Sequence, residues 1–305
     1  MKSHKYEIID AHTHFFSYTW FNHFYSLVKN QIKSDEGIAA LGRILGWEIP
    51  PKEPHELGKM WAEELDRHGV KRQVLFASKL NDAEYLAAAV QEFPNRLIGY
   101  VMIDPNQSDA RDQIRYSLHI LGMKGVTLFP AMHHFYASDE IVYPIYEEAA
   151  SAEVPVFIHF GILKMPVFQK LGLPDNINLS FSNPLDLKKS AQDFPDVNFI
   201  IPHFGCGRFE QALEVAGEFN NVYFDTSSSN AWIEPPLDLK QVFKNSLEVL
   251  GPERLLFGTD SSYFPRGWRK EIFEQQDQIL NRLQIPNQEK WLIFGGNIAR
   301  LLFLD

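Results

Sequence analysis

The alternation of short apolar runs with helical stretches is the feature that most constrains the fold of this chain. Strand-like runs occur at about 8–15, 73–78, 96–103, 125–130, 155–161, 198–205, 222–228 and 255–261. Most of the stretches between them carry helical periodicity, and strands separated by helices pair in parallel through right-handed crossovers. Eight such units in 305 residues predict an α/β fold, a (β/α)₈ TIM barrel that forms a single domain over residues 1–305.

A doubly wound open sheet is the alternative architecture. Its first strand is usually followed by a glycine-rich phosphate turn, whereas this chain continues with HTHFFSYTW (12–20). The strand-like runs are nearly continuous in apolar residues, as expected of parallel strands that are buried on both faces. Both observations favour the barrel.

Insertions follow the first and the fifth strand, at residues 16–54 and 162–183. In a barrel, segments that follow a strand lie on the catalytic face, and loops this long are usually lids or binding loops. The first insertion is rich in aromatic residues, most of which we expect to pack and one or two to face a substrate. Whether 16–54 is a lid, a small packed core or the interface of a homodimer stays open at this point.

Four histidines and an aspartate stand at the C-terminal ends of predicted strands. His12 and His14 share one face of the first strand because strand side chains alternate. The others, His159, His203 and Asp260, end the fifth, sixth and eighth strands. Imidazoles and a carboxylate in this arrangement form a ligand set for one divalent metal ion. The alternative, five separately satisfied buried groups, does not explain why all of them fall at strand ends.

The chain resembles the amidohydrolase superfamily, within it the amidohydrolase-related branch that contains aminocarboxymuconate semialdehyde decarboxylase and resorcylate decarboxylases. The similarity covers nearly the whole chain and includes IIDAHTHF (8–15), GMKGVTLFP (122–130), FPDVNFIIPHFG (194–205) and GPERLLFGTDSSYFP (251–265). It implies a metal-dependent enzyme in which the ligands are His12, His14, His159 and Asp260. It also implies that His203, together with Asp260, is catalytic and acts on the metal-bound water or on the substrate. The cofactor we expect is one divalent ion, Zn²⁺ before others.

Lys124 bears on the number of metal ions. Binuclear members of the superfamily bridge two ions with a carboxylated lysine on the fourth strand. In GMKGVTLFP, Lys124 precedes the apolar run and is therefore expected near the bottom of the barrel. The C-terminal end of that strand carries Phe129 and Pro130, which cannot bridge metals, so we predict a mononuclear site.

Three further polar residues are candidates for supporting roles. Asp225 ends the seventh strand and could either hold His203 in one tautomer or cap local backbone. Arg208 and Arg266 follow catalytic-face strands and could clamp a substrate carboxylate, the alternative being ordinary solvated side chains.

Composition excludes several classes of partner. The formal net charge of −10, without a cluster of Lys or Arg, argues against nucleic acid. No run is long and apolar enough to cross a membrane, no signal-like segment is visible at the N-terminus, and the single cysteine suits a reducing compartment. We therefore expect a cytoplasmic protein whose partner is a small-molecule substrate.

Three functions remain after these exclusions. The first is hydrolysis of an amide, ester or lactone by a metal-activated water, and the second is non-oxidative decarboxylation of an aromatic or unsaturated acid. A metal-binding barrel without activity is the third and is disfavoured because every expected ligand position is filled. FIHFG (157–161) lacks the tryptophan-bearing continuation associated with the decarboxylase type, which favours the hydrolase slightly.

Overall fold

A computed structural model describes residues 6–32, 36–227, 232–233 and 235–304. Its strands form one sheet, pair in chain order and all run parallel. The strands are β1 Ile9–Phe15, β2 Arg72–Ala77, β3 Leu97–Met102, β4 Val126–Leu128, β5 Val156–Ile158, β6 Phe199–Ile201, β7 Val222–Asp225 and β8 Leu255–Leu256. The amide of Ala11 donates to the carbonyl of Phe257 and that of His14 to Ser261, which brings the two edges of the sheet together. The predicted TIM barrel is confirmed.

Most of the observed strands are shorter than the apolar runs that predicted them. The regular strands of the fifth, sixth and eighth runs end before His159, His203 and Asp260. The amides of His159 and Asp260 still donate to Leu128 and His12 of the neighbouring strands, whereas His203 lies in a 3₁₀ turn. The last residue of the seventh run, 228, lies outside the described residues. The apolar runs in the sequence therefore include buried residues that lie outside the regular strands.

Each strand is followed by a helix that packs on the outside of the barrel, and these helices are α3, α4, α5, α7, α9, α10, α11 and α12. The α-helices are α1 Tyr18–Val28, α2 Ile38–Leu45, α3 Pro54–His68, α4 Ala83–Gln91, α5 Ala110–His119, α6 Pro130–His133, α7 Tyr143–Ser151, α8 Pro166–Leu171, α9 Leu187–Asp193, α10 Phe209–Glu218, α11 Leu239–Leu250, α12 Lys270–Arg282, α13 Asn287–Trp291 and α14 Asn297–Leu301. Short 3₁₀ turns connect several of them, and a π-helical turn joins α13 to α14.

The two faces of the strands bury different clusters. On β2, Val74 and Phe76 belong to the cluster that fills the barrel interior, together with Tyr100 and Phe157. The alternating residues, such as Leu75, belong to the larger cluster beneath the helices. Both faces are thus apolar, which explains the continuous apolar runs in the sequence.

The two insertions pack against each other rather than standing apart. Helices α1 and α2 come from the first insertion and α8 from the second, and their apolar side chains form one cluster, which includes Trp20, Phe21, Phe24, Leu41, Leu45, Val167 and Leu171. Lys170 also donates from Nζ to the carbonyl of Leu45 at 2.6 Å. We call this unit the cap, defined as α1, α2 and α8. Among the described residues, no helix combines the length and the apolar character needed to span a bilayer.

Candidate metal centre

The five residues singled out by the sequence converge at the C-terminal ends of the strands. His12 and His14 lie on β1, and His159 follows β5 directly. His203 and Asp260 lie in the turns after β6 and β8, each with a φ of 54°. A left-handed backbone is uncommon for residues other than glycine, and such positions cluster at functional sites.

Asp260 approaches both histidines of β1. Its Oδ1 lies 3.2 Å from Nε2 of His14 and 3.7 Å from Nε2 of His12. Potential ligand atoms of these three residues all lie within 4.8 Å of one another. Two ligands at about 2.0–2.2 Å from a shared ion are separated by distances of this order. The Nε2 of His12 is buried without a hydrogen-bond partner among the described residues, as expected of an atom reserved for an ion.

The same carboxylate is held in its ionised form. Burial alone would raise the pKa of Asp260, but its hydrogen bond to His14 and its electrostatic interactions with His14, His12 and His203 bring the pKa well below its ordinary value. An ionised carboxylate is the form that binds a divalent ion.

His159 faces the same cavity from β5. Its side chain is buried, its Nδ1 lacks a partner among the described residues, and its ring centroid lies 5.3 Å from that of His203. Burial and the neighbouring His203 and His12 lower the pKa of His159 well below its ordinary value. The imidazole is therefore neutral, the form that binds metal, although it does not join the three-residue group formed with Asp260.

His203 is fixed by a main-chain acceptor. Its Nδ1 lies 2.6 Å from the carbonyl oxygen of Ser227. A carbonyl can only accept, so the proton sits on Nδ1 and Nε2 of the neutral ring is free to accept. Burial lowers the pKa of His203, with Asp260 opposing and His12 adding to that effect. This is the tautomer that can take a proton from a water.

Asp225 contacts His12 instead of the expected His203. Its Oδ2 lies 3.0 Å from Nδ1 of His12, and its Oδ1 accepts from the amide of Ser227 at 2.6 Å. The carbonyl of Ser227 occupies Nδ1 of His203, so Asp225 does not reach that nitrogen directly among the described hydrogen bonds. Asp225 caps the backbone at Ser227 and contacts His12, and its supporting role in the site stays a prediction. Burial would raise the pKa of Asp225, but His12 lowers it below its ordinary value.

Two serines were missed by the sequence reasoning. The hydroxyl of Ser78 lies 3.1 Å from Nδ1 of His14, and that of Ser227 lies 2.7 Å from Nδ1 of His12. Ser227 follows Asp225 by two residues and so shares its face, a signal that was present in the sequence. Ser78 lies beyond the end of β2, next to the strand that carries His14, and no motif marks it.

The two arginines do not line the cavity that contains the histidines. Arg266 is exposed, stacks 4.4 Å from the ring centroid of Tyr263 and donates to the carbonyl of Asp260 at 3.2 Å, so it braces the loop that carries that residue. Arg208 is also exposed and lines a neighbouring cavity, which shares His203 and Trp232 as walls. Neither arginine lines the cavity over the histidines, and a substrate-clamping role for them stays a prediction.

Lys124 lies at the opposite end of the barrel. It is exposed, precedes β4 and donates its amide to the carbonyl of Gly99 at 2.8 Å. It is therefore remote from the histidines, as the sequence predicted.

The cavity over the histidines is small and largely apolar. Its volume is about 130 Å³, and its polar walls include His14, Ser78, His159, His203 and Asp260. The first insertion contributes Phe16, Trp20 and Trp47, and the second contributes Leu163, Lys164, Met165, Pro166 and Val167. Three aromatic side chains of the first insertion thus face the cavity, while Phe21 and Phe24 are buried in the cap.

Comparison with known proteins gives a family and several relatives. The family model described as amidohydrolase matches residues 9–304. A 2-keto-4-carboxy-3-hexenedioate hydratase from Sphingobium sp. is 26% identical over 245 residues, 71% of this chain and 68% of the relative. A 2-amino-3-carboxymuconate-6-semialdehyde decarboxylase from Dictyostelium discoideum is 24% identical over 247 residues, 75% of this chain and 67% of the relative.

A solved structure gives the same fold. The crystal structure of a 5-carboxyvanillate decarboxylase from Novosphingobium aromaticivorans, which contains bound manganese, is similar with a TM-score of 0.68 at 16% identity and covers all of both chains. The resemblance drawn from the sequence is confirmed.

Proposed function

This chain belongs to the amidohydrolase family of enzymes, and we propose that it is a metal-dependent hydrolase of a small-molecule amide, ester or lactone. The observation that carries the proposal is the convergence of potential ligand atoms of His12, His14 and Asp260 within 4.8 Å, at a cavity that His14 and Asp260 line. His159, neutral and with an unpartnered Nδ1, faces the same space and completes the proposed ligand set.

One divalent ion fits this donor set. When bound, it would supply a Lewis acid and a water whose pKa is lowered towards about 7. Three imidazoles and one carboxylate suit zinc, while the similar structure of 5-carboxyvanillate decarboxylase contains bound manganese. We keep zinc as the proposed ion.

His203 is the proposed proton-transferring group. Its Nε2 can accept a proton because Nδ1 donates to Ser227, and the ring lines the cavity. A neutral imidazole within reach of a water orients it and takes its proton during attack, then returns the proton to the leaving group. Asp260, ionised by its histidine neighbours, holds the opposite side of the same space.

Decarboxylation of an aromatic or unsaturated acid is the second candidate. Aromatic side chains, including Phe16, Trp20 and Trp47, face a cavity of about 130 Å³, close to the roughly 150 Å³ that admits benzene in an engineered protein. Such a space accepts one planar ring. One curated relative is named as a decarboxylase and the other as a hydratase, a reaction that also adds water.

Product analysis separates these chemistries. Metal-loaded protein should be incubated with panels of lactones, esters, amides, and aromatic or unsaturated acids, while carbon dioxide release and product masses are followed. Hydrolysis adds one water and cleaves or opens the substrate, which is the expected result. Loss of carbon dioxide from an acid, with no hydrolysis of any panel member, would replace the hydrolase with the decarboxylase. Addition of water to a double bond would indicate a hydratase.

A further inference from the structure

Among the described residues that line the cavity, Lys164 is the one lysine, and no arginine is present. This lysine follows β5 in the second insertion and faces the same space as His159 and His203. The remainder of the wall is apolar apart from Ser78 and the metal-centre residues.

Lys164 has no ionic partner within the described ranges. None of their carboxylates lies within 4.0 Å of its Nζ, and the side chain is exposed. Other lysines of the chain behave differently, since Lys188 contacts both Glu214 and Glu218 at 2.7 Å. Among the described residues, no carboxylate therefore compensates the charge of Lys164, which leaves it to be paired by an anion in our proposal.

The position of Lys164 is restrained from two sides. Its Nζ lies 5.7 Å from the ring centroid of Trp232, a cation–π contact with a residue that lines the same cavity. The segment that precedes it is tied to the turn after β6, because Ile162 donates its amide to the carbonyl of Cys206 and accepts from Sγ of Cys206, both at 2.8 Å.

A glycine makes that tie possible. Gly161 has a φ of 78°, and a Cβ at this position would clash with the carbonyl oxygens of Gly205 and Cys206. The close approach of the two turns therefore fixes where the second insertion leaves the barrel. Lys164 follows this tied turn by three residues and lines the cavity.

We propose that Lys164 determines substrate specificity by binding a carboxylate group of the substrate remote from the reacting bond. This inference rests on the proposed function in that it takes the metal centre as the reacting end of the cavity. An ammonium group is a compact point charge with three donors and pairs with a carboxylate in a site that is mostly apolar. The substrate class is then a small acid that carries, besides the scissile or reacting group, a separate carboxylate.

The test compares probes that differ in one charge. Phthalate, isophthalate and terephthalate are each compared with their monoamides, which keep the shape but lose one carboxylate, by calorimetric titration of the metal-loaded protein. We expect wild type to bind at least one diacid on the order of 10-fold more tightly than its monoamide, as a charge-assisted hydrogen bond implies. Lys164→Met should abolish that preference, and Lys164→Arg should retain it.

Lys240→Met is the matched control, because Lys240 is exposed on α11 and does not line the cavity. It should leave the preference unchanged. A preference that survives in Lys164→Met, or no preference for any diacid in wild type, would overturn the inference. Because titration requires no turnover, the two proposals fail separately. A Lys164-dependent preference together with no hydrolysis in the substrate panel would contradict the hydrolase and leave the role of Lys164 standing.

Discussion

At the scale of single residues, the centre is defined by which nitrogen of each histidine is already engaged. Nδ1 of His12 meets Asp225, Nδ1 of His14 meets Ser78, and Nδ1 of His203 meets the carbonyl of Ser227. Hydrogen bonds of this kind fix the tautomer and orientation of an imidazole and tune a ligand's basicity. None of these partners engages Nε2, and Nε2 of His14 lies 3.2 Å from Oδ1 of Asp260, a separation expected of two ligands of one ion.

The first residue-scale prediction separates His203 from the ligands. His203→Ala should keep close to full metal content but lose on the order of 10²–10⁴ in turnover, the usual contribution of general acid–base catalysis. His159→Ala should lose the metal. Elemental analysis and turnover assays measure the two effects, with His134→Ala, an exposed histidine outside the cavity, as the control. A metal-free or fully active His203→Ala variant would show that the roles are assigned wrongly.

The second prediction concerns the partner of His12. Asp225→Asn should weaken metal affinity by about 10–100-fold, because the carboxylate that accepts from Nδ1 of His12 becomes a neutral amide. Competition with a metal chelator measures the change, and Asp196→Asn on the exposed surface should have none. Unchanged affinity in Asp225→Asn would mean that Asp225 serves only as the cap on Ser227.

Residue-scale details were also where the sequence was least informative. The common location of His12, His159 and Asp260 could be predicted from the alternation of strands and helices along the sequence. Parallel strands in a barrel bring their C-terminal ends to one rim. Which ring Asp225 contacts depends on the turn after β6, where the left-handed backbone of His203 redirects the side chain. No pattern of residue types encodes such a turn. The arginines likewise follow the expected strands, yet neither lines the cavity over the histidines.

At the scale of elements, the two insertions form one structural unit. Their lengths and their positions after β1 and β5 could be read from the sequence, but their mutual packing could not, since 126 positions separate Leu45 from Leu171 in one cluster. Both insertions also contribute to the cavity wall, through residues such as Trp47 and Met165. The cap therefore contributes both to the cavity wall and to a small apolar core of its own. Its action as a lid stays a prediction.

Replacing residues 29–46 with a short flexible linker tests the lid. The change removes α2, including Leu41 and Leu45 of the cap, but leaves the barrel strands and the metal-centre residues in place. We expect a folded, metal-loaded protein with weaker turnover, because the cavity loses its support and admits water. Circular dichroism, metal content and turnover are the measurements.

Two other outcomes of that replacement would contradict the lid. Global unfolding would assign the insertion to the stability of the molecule as a whole. Dissociation of an oligomer with turnover per folded chain unchanged would assign it to a subunit interface, and would support the homodimer that the sequence left open.

At the scale of the whole molecule, the barrel brings the residues of the metal centre together at one rim, from His12 on β1 to Asp260 after β8. The eight strands and their order were predicted from periodicity because both faces of each strand are buried. Substrate chemistry could not be predicted in the same way, since it depends on the cavity that the insertions build. The acidic net charge of −10 still argues against nucleic acid. The cytoplasmic location and the homodimer stay predictions.

The metal content of the purified protein tests the central claim most directly. Elemental analysis after metal-replete expression should give about one divalent ion per chain, zinc in our proposal, and His14→Ala should lose it while Lys124→Ala keeps it. No bound metal in wild type would contradict the proposed centre. Two equivalents per chain, both lost in Lys124→Ala, would contradict the mononuclear site.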